Sequence, residues 1–490
     1  MNGRARYGTT RLLLLLASLL ASGCRDELLT SPSGDPDIRP SFALGPGQEI
    51  SVVEDLSPAL GQNNVAQAIN NAKQITGLRT TSTSKSTAYV WSPPGTVTNL
   101  ATLGQSPYTA IGHDINDSGQ VAGMASNHAA LWNPGSLPLQ LSEPPATTGA
   151  LAVAINSAGA VVGTITSSGE AHPGIWFNGG QLQILNLPPA LGGYDIFGFA
   201  SDINDNLETV GTASGSMIAS SPEPRAFYHR YFPTVPTYVE LAQLPGTTKS
   251  SAKAINEAGV IVGLSGDRAV RWPSRSDLPQ DLGTLGGAWS VANDVNKGGV
   301  IVGTSKDGSG AVLPFRLVPG GFLEKLALPQ GATAGSAVDL NDDGHTVGQA
   351  TFPGGERHAL VWWRFSGKYA FRYSSVVLSK TISRSAPGLI TIALLSSSSM
   401  DARAVEVRTL NLSRGGAHAG AGLATGSDGT LLFQEGDGNG DKLTDLIVSF
   451  DAADALGPSA RFTSSTELLL KGVVKDRSNA LYSTVVVSIR

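Results

Sequence analysis

The side chains best suited to metal binding lie near the C-terminus, in the segment DGNGDKLTD at 437–445. Oxygen ligands at positions 1, 3, 5 and 9 of a short loop, with a main-chain carbonyl at position 7, form a pattern that surrounds calcium. Carboxylates so close in sequence repel one another unless a cation lies among them. We therefore expect a structural calcium site; the alternative is an acidic hairpin that binds no ion. The expected side-chain ligands are Asp437, Asn439, Asp441 and Asp445, and Leu443 would offer its carbonyl.

The loop also resembles the D-x-D-x-D-G-x-x-D calcium loops of integrin-type and related extracellular repeats. It differs from them at Lys442, which replaces the usual glycine. It is not an EF-hand, because Val448 occupies the position of the bidentate glutamate. Asp428 or Glu435 would complete the coordination shell.

Sequence signatures of catalysis are absent. The chain has no G-x-S-x-G elbow, no H-E-x-x-H zinc motif and no phosphate-binding loop. Its seven histidines are scattered, and its single cysteine is Cys24. No catalytic residue is therefore assigned, although loops that are distant in sequence could still form a site together.

The N-terminal residues 1–24 have the features of an export signal. A head with three arginines precedes the apolar run LLLLLASLLA at 12–21, which is too short to span a bilayer. The run continues into ASGC at 21–24, which resembles a bacterial lipobox with Ala21 in place of the usual leucine. This resemblance implies that Cys24 is lipidated and becomes the mature N-terminus; an ordinary secretory signal is the alternative. Lipoproteins of this kind with aspartate after the cysteine stay in the inner membrane. Because Arg25 occupies that position, the resemblance implies placement in the outer membrane, facing either the periplasm or the cell surface.

Composition narrows the fold class and the partners. Residues 25–48 are rich in Pro, Ser, Gly and Asp and predict a flexible tether. The chain has 59 glycines and 28 prolines but only 15% charged residues, which indicates short strands and many turns. A net charge of −5 without runs of Lys or Arg argues against nucleic acid as a partner, and against membrane contact other than through the N-terminal lipid. We expect a monomer.

One nine-residue pattern, exemplified by INDSGQVAG at 115–123, occurs seven times. Each copy begins near an asparagine and ends in a glycine seven residues later, while the copies lie 40 to 52 residues apart. A fixed internal offset with a variable outer spacing identifies a true repeat. The asparagines are Asn70, Asn116, Asn156, Asn204, Asn256, Asn296 and Asn341, and the glycines are Gly77, Gly123, Gly163, Gly211, Gly263, Gly303 and Gly348.

Each copy predicts a β-hairpin followed by two further short strands. Asparagine favours the turn because its side chain bonds nearby backbone amides. Consecutive apolar residues such as Val161 and Val162 predict a strand buried on both faces, and the final glycine predicts a bulge or a close backbone approach. Four strands in 40 to 50 residues are typical of a propeller blade. We therefore predict an all-β fold with a seven-bladed β-propeller at 49–366, in which the strand within 49–61 pairs into the last blade.

The repeat also resembles the bacterial extracellular HAF repeat, named after its His-Ala-Phe triplet. The resemblance rests on DLGTLGG at 281–287, on the I-N-x-x-G-x-V-V-G hairpin and on the H-A-x-x-W element, and it extends over about residues 49–366. It implies a secreted or surface-attached protein without a general catalytic activity. His128 and His358 keep the triplet histidine, but Thr87 and Arg268 replace it elsewhere, which favours a structural role for these histidines.

Residues 367–490 no longer follow the repeat. Six apolar segments, at 386–396, 404–412, 429–435, 444–450, 466–474 and 482–490, predict the strands of a β-sandwich that carries the calcium loop.

Three functions remain open. The first is a non-catalytic scaffold that binds a glycan or an envelope protein, with the divergent insertion 212–226 as a contact loop. The second is a polysaccharide lyase or glycosidase with a funnel-shaped site on the ring axis. The third is a purely structural envelope protein. We favour them in this order.

Overall fold

The structure is a computed structural model of the chain. It describes residues 49–61, 63–82, 85–105, 109–177, 180–185, 197–214, 223–231, 237–366, 370–372, 375–377, 381–382, 388–396, 402–413, 422–425, 431–436, 444–456, 465–473, 475, 477 and 480–489. The expected signal peptide 1–24 with Cys24, the tether 25–48, the loop residues Asp437, Asn439 and Asp441, and residues 215–222 of the insertion lie outside the described residues.

Between residues 49 and 366, the described strands form seven four-stranded antiparallel sheets. Sheet 1 contains Asn64–Ile69, Ile75–Ser82, Lys85–Ser92 and Thr96–Asn99. Sheet 2 contains Ala110–Ile115, Val121–Ala125, His128–Trp132 and Leu139–Gln140. Sheet 3 contains Thr147–Ile155, Val161–Ser167, Glu170–Phe177 and Gln181–Ile184. Sheet 4 contains Phe197–Ile203, Glu208–Ser214, Arg225–Arg230 and Thr237–Glu240. Sheet 5 contains Ser250–Ile255, Ile261–Ser265, Arg268–Trp272 and Gln280–Gly283. Sheet 6 contains Gly286–Val295, Ile301–Asp307, Val312–Leu317 and Glu324–Lys325. Sheet 7 contains Ala334–Leu340, Thr346–Thr351 and Arg357–Ser366, with Glu49–Asp55 as its fourth strand.

The fourth strand of sheet 7 comes from the beginning of the repeat region. Glu49–Asp55 pairs antiparallel with Arg357–Ser366, with Val52 opposite Trp363, which confirms the predicted pairing. A short helix, Ser57–Leu60, then leads into sheet 1. The first strands of adjacent sheets contact one another, including those of sheets 7 and 1, so the sheets form a closed, propeller-like ring.

The final glycine of each repeat lies opposite a bulge. In sheet 3 the register between the first two strands shifts between Ala152 and Ala154, and Gly163 pairs with Ala152. A Cβ atom on Gly163 would lie 1.9 Å from the Leu151 carbonyl oxygen, and the corresponding distances at the other six glycines are 2.0 or 2.1 Å. The bulge turns a carbonyl toward the neighbouring strand, so only a residue without a side chain fits there.

The hydrophobic cores lie between adjacent sheets. Val161 packs in the cluster between sheets 2 and 3, whereas Val162 packs in the cluster between sheets 3 and 4, which confirms burial on both faces of this strand. The repeat tryptophans extend these contacts, since the indole N–H of Trp176 donates to the Ser142 carbonyl, which follows sheet 2, at 2.7 Å. Each sheet thus depends on its neighbours for burial of its apolar side chains.

The described C-terminal residues form two further sheets that share one core. One sheet contains Ala370–Arg372, Thr381–Ile382, Asn411–Ser413, Ser465–Val473 and Ala480–Ile489. The other contains Ser375–Val377, Leu389–Leu394, Phe433–Gly436 and Asp445–Asp451, and the helix Ala452–Leu456 follows it. Side chains of both sheets, including Ile392, Phe450 and Leu468, pack together in the core.

The strand predicted at 404–412 is wrong for most of its length. The segment contains part of the 3-10 turn Ala402–Ala404 and all of the 3-10 turn Val407–Thr409, and only Asn411–Ser413 is a strand. The Glu406 carboxylate accepts the Arg408 amide at 3.4 Å, and the Thr409 hydroxyl donates to the Glu406 carbonyl at 2.7 Å. These local bonds favour a turn over the extended backbone that was predicted for this apolar segment.

No helix in the described part of the chain is both long enough and apolar enough to cross a membrane.

Candidate functional site

The seven repeat asparagines form a closed ring of hydrogen bonds. The side-chain amide of each asparagine donates to the main-chain carbonyl of the asparagine in the next sheet, at 2.9 to 3.2 Å, and Asn341 returns to Asn70. We call the end of the sheets that carries these turns the asparagine face. The ring connects seven turns that are separated by at least 40 residues in sequence.

Each of these asparagines also shapes its own turn. Its side-chain oxygen accepts the amide of the residue four positions later, at 2.9 to 3.1 Å. The asparagines are buried, so these bonds satisfy groups that would otherwise lose their contact with water. Because the side-chain oxygen and the side-chain amide of each asparagine are both hydrogen-bonded, these residues stabilise the turns and the contacts between sheets. They leave no side-chain group available for chemistry.

A second set of side chains surrounds the asparagines at the surface. The residue after each asparagine is exposed, and several bond the neighbouring turn: the Asp117 carboxylate accepts the Asn71 amide at 2.8 Å, and Asp342 accepts the Lys297 amide at 3.2 Å. Asp205 likewise accepts the Ser157 amide at 2.9 Å. The carboxylates on this part of the asparagine face are therefore engaged by backbone amides.

Four aspartates on the first strands form what we call the aspartate band. Each accepts the backbone amide of a residue in the next sheet, at 2.6 to 3.0 Å. The band consists of Asp114, Asp202, Asp294 and Asp339.

Desolvation controls the protonation of this band. Burial raises the pKa of Asp114 to about 6, and the pKa of Asp202 lies well above its ordinary value for the same reason, together with repulsion by Asp294. Asp294 and Asp339 hydrogen-bond one another, and burial raises both pKa values. Part of the band therefore carries protons at mildly acidic pH.

A polar groove lies between sheets 4 and 5 on the asparagine face. We call this groove of about 270 Å³ the Tyr228 groove. It is lined by Asn206, Glu208, Tyr228, Arg230, Glu257, Ala258, Gly259, Ser274 and Arg275.

Tyr228 and Glu208 form the base of the Tyr228 groove. The tyrosine hydroxyl donates to one Glu208 carboxylate oxygen at 2.7 Å, and Asn204 donates to the other at 2.8 Å. Burial, followed by the hydrogen bond to Glu208, raises the pKa of Tyr228 above its ordinary value. The tyrosine is therefore a neutral donor, and Glu208 keeps unused lone pairs for a ligand hydroxyl.

Cationic side chains border this pair. The Arg275 guanidinium lies over the Tyr228 ring, 5.2 Å from its centre, and Arg275 is exposed. The Nε atom of Arg230 lies 4.0 Å from the Glu208 carboxylate. Burial raises the pKa of Glu257 on the opposite side of the groove. Donors and acceptors thus face one small space, which suits a ligand with several hydroxyl groups.

The groove occurs where the fourth repeat departs from the others. Glu208 occupies the position of Gln74 and Gln120, and Leu207, with a φ of 57°, replaces the usual turn glycine. His229 replaces the repeat tryptophan; it pairs with Thr209 and is buried, which lowers its pKa to about 4. These departures were visible in the sequence, but their contact with Arg275 of sheet 5 was not.

Of the expected calcium ligands, only Asp445 lies among the described residues. It is fully buried, and its carboxylate accepts the Ser396 amide at 2.7 Å. Within the described ranges, no three acidic, histidine or cysteine side chains are grouped so that they could hold a metal ion.

The two triplet histidines contact acidic side chains. His128 lies 2.9 Å from Glu143, and His358 lies 2.7 Å from Asp55 on the closing strand of sheet 7. Burial opposes protonation of His358, but the hydrogen bond to Asp55 and the Glu356 carboxylate, 3.1 Å from Nε2, outweigh it and raise its pKa.

The solved structures that are similar to this chain include a lyase, a hydrolase and a WD40 domain. The virginiamycin B lyase from Staphylococcus aureus aligns over 64% of this chain and 99% of its own, with 12% identity and a TM-score of 0.41. Puromycin hydrolase aligns over 69% of this chain and 60% of its own, with 12% identity and a TM-score of 0.45. The WD40 domain of SCAP from fission yeast aligns over 89% and 90%, with 9% identity and a TM-score of 0.33. At this level of similarity the comparisons support no conclusion about the fold or the activity of this chain. The sequence matches no protein-family model and no curated protein significantly.

Proposed function

We propose that this protein is a non-catalytic binding scaffold whose ligand is a glycan held on the asparagine face. In this proposal, residues 49–366 are a seven-bladed β-propeller of HAF-type repeats and residues 367–490 are a β-sandwich. The observation that carries the proposal is the Tyr228 groove, where a neutral tyrosine, a carboxylate and an exposed arginine converge. Planar polar side chains beside one another bind neighbouring sugar hydroxyls through paired hydrogen bonds.

The same geometry favours binding over chemistry. A general base needs a pKa near the working pH, whereas the pKa of Tyr228 is raised and its proton is held by Glu208. Arg275 covers one face of the ring. The groove therefore offers fixed donors and acceptors, and its tyrosine is not an activated nucleophile.

A glycan array with the purified full-length protein tests this function. We expect binding to a defined class of glycans, and we expect Arg275→Ala to weaken it about tenfold, since hydrogen bonds to charged groups contribute about 1.5–3 kcal/mol. Arg357→Ala is the matched control, because Arg357 is also exposed but lies at the opposite end of sheet 7. Absence of glycan binding, equal loss in both variants, or cleavage of the bound glycan would contradict a non-catalytic scaffold.

We also propose that Cys24 carries a lipid that anchors the protein in the outer membrane. The support is the arrangement of the N-terminal residues, with a basic head, an apolar core and ASGC at 21–24. Labelling of growing cells with an alkyne fatty acid should mark the protein and should not mark Cys24→Ser. Recovery of the labelled wild type in the inner-membrane fraction would exclude the outer-membrane part of the proposal.

A structural calcium ion in the 437–445 loop is a further part of the proposal. Its support is the ligand spacing of Asp437, Asn439, Asp441 and Asp445. Thermal melting of the full-length protein with and without EDTA should show a lower midpoint in EDTA, and Asp441→Asn should remove this difference. Identical midpoints for the wild type under both conditions would argue against the site.

A further inference from the structure

A cavity of about 460 Å³ lies between sheets 5 and 6, on the other side of sheet 5 from the Tyr228 groove. Its wall includes the third strand of sheet 5, the DLGT segment 281–284, the sheet 6 turn at Gly299 and the loop 318–323. Its volume is within the range of small-molecule sites, about 300–1,000 Å³. Because Gly299 belongs to an asparagine turn, this cavity opens on the same face as the groove.

The Arg271 side chain lines this cavity without a partner. Among the residues that the structure describes, none accepts a hydrogen bond from Arg271 or forms an ion pair with it, and its Nε atom is buried and unsatisfied. Asp281 in the same wall is already engaged, since it lies 3.1 Å from Arg268 and accepts the Gly283 amide at 2.8 Å. An anion in the cavity would pair with this guanidinium and would satisfy its buried Nε–H group.

The corresponding side chains in the neighbouring sheets differ from Arg271. Strand register places Tyr228 of sheet 4 and Arg316 of sheet 6 at the equivalent position. Tyr228 bonds Glu208, and Arg316 lies 3.7 Å from the Glu49 carboxylate. Of these three side chains, only Arg271 lacks an acidic partner in the described structure. The neighbouring sheets fold with other side chains or with a paired charge at this position, so the repeat does not need an unpaired arginine there.

An aromatic ring stands at the rim of the cavity. Phe322 is 93% exposed and belongs to the cavity wall. The Gln280 side chain, which is also exposed, lines the same wall. Aromatic rings pack against the C–H face of sugars, and amides bond their hydroxyls.

We infer that this cavity, which we call the Arg271 cavity, binds a carboxylate-bearing sugar residue of an acidic glycan. Arginine presents a planar pair of donors that matches a carboxylate bidentately. Phe322 packs against the sugar ring, and Gln280 bonds its hydroxyls. This inference rests on the proposed glycan-binding function and adds the chemical class of the ligand: a uronate unit in the Arg271 cavity, beside neutral units in the Tyr228 groove.

The test measures binding of the full-length protein to oligosaccharides of galacturonate, mannuronate and glucuronate and to their carboxyl-reduced counterparts. Each pair differs only in the carboxylate. We expect at least one acid to bind and its reduced counterpart to bind about tenfold more weakly. Arg271→Gln should remove this preference, so that the acid and its reduced counterpart bind with similar affinity. Phe322→Ala should weaken both forms alike, and folding should tolerate it because the side chain is exposed.

Arg357→Gln is the control for general charge, since it removes one exposed positive charge far from the cavity. Loss of the acid preference in this variant would overturn the inference, as would an acid preference that survives Arg271→Gln. Binding of neutral glycans only, or of an acidic peptide such as hexaglutamate but no uronate, would also overturn it. Binding of neutral glycans that depends on Arg275 would leave the proposed function intact, so the two failures are distinguishable.

Discussion

Replacement of Asn116 by alanine tests whether the asparagine ring stabilises the repeat region. The Asn116 side chain accepts the amides of Ser118 and Gln120, at 3.1 and 3.0 Å. It donates to the Gln120 side chain at 2.9 Å and to the Asn156 carbonyl, in the next sheet, at 3.1 Å. Asn116→Ala removes all four bonds at once.

The expected cost follows from the exposure of each partner. Ser118 is exposed, so water replaces its lost bond, whereas the bond to the Asn156 carbonyl is buried. The two bonds to Gln120 are partly buried. At about 1 kcal/mol net for each of these three bonds and close to zero for Ser118, the variant should lose about 3 kcal/mol of unfolding free energy.

Urea unfolding followed by tryptophan fluorescence measures this loss, because the repeat tryptophans are buried in the folded protein. Ser118→Ala is the matched control in the same turn and should change stability by less than about 0.5 kcal/mol. Asn256→Ala breaks the equivalent link in sheet 5, where Val260 offers no side-chain acceptor, and should cost somewhat less than Asn116→Ala. If Asn116→Ala matches Ser118→Ala, the ring contributes nothing to stability and the reasoning is refuted.

Three further changes follow from the structure. Gly163→Ala places a Cβ atom 1.9 Å from the Leu151 carbonyl oxygen, and it should lower the free energy of unfolding by about 3 kcal/mol or abolish folding. Gly180→Ala is the control, because no atom lies near its added Cβ, and it should leave the urea unfolding curve unchanged. Arg477→Met leaves the buried Glu54 carboxylate without its guanidinium and should lower the free energy of unfolding by about 3–5 kcal/mol. Adding Glu54→Gln to the same chain should recover part of this loss. If the double variant is no more stable than Arg477→Met, the broken ion pair is not the cause. The pKa values of the aspartate band are raised in the folded protein, so the folded state binds more protons than the unfolded chain above about pH 4. The contribution of the band to stability should therefore be fully present below about pH 4 and should fall as the pH rises through the folded pKa values, about 6 for Asp114. Asp114→Asn should flatten this fall by about 2 kcal/mol between pH 4 and 6, and an unchanged slope would contradict the raised pKa.

The repeat and its turns were predictable because their causes are local. Asn116 and Gln120 lie four residues apart, and the turn bonds between them depend on little beyond that spacing. The pairing of Glu49–Asp55 with the last sheet was also predictable, since a ring of four-stranded sheets leaves one strand over. Local reasoning failed at 404–412, where the hydrogen bond between Glu406 and Thr409 closes a turn in a segment that was predicted to be a strand.

The sequence by itself determined the repeat, its asparagines and its glycines, because each copy carries the same residues at the same short spacing. Only the tertiary structure decided which side chains meet between copies. Arg275 lies over Tyr228, and Arg271 lacks the acidic partner that Arg316 has, because adjacent sheets bring together residues that no sequence pattern connects. The physical reason is that the spatial neighbours of a charged side chain decide whether it is paired. The residues that line the Tyr228 groove and the Arg271 cavity come from two different sheets in each case.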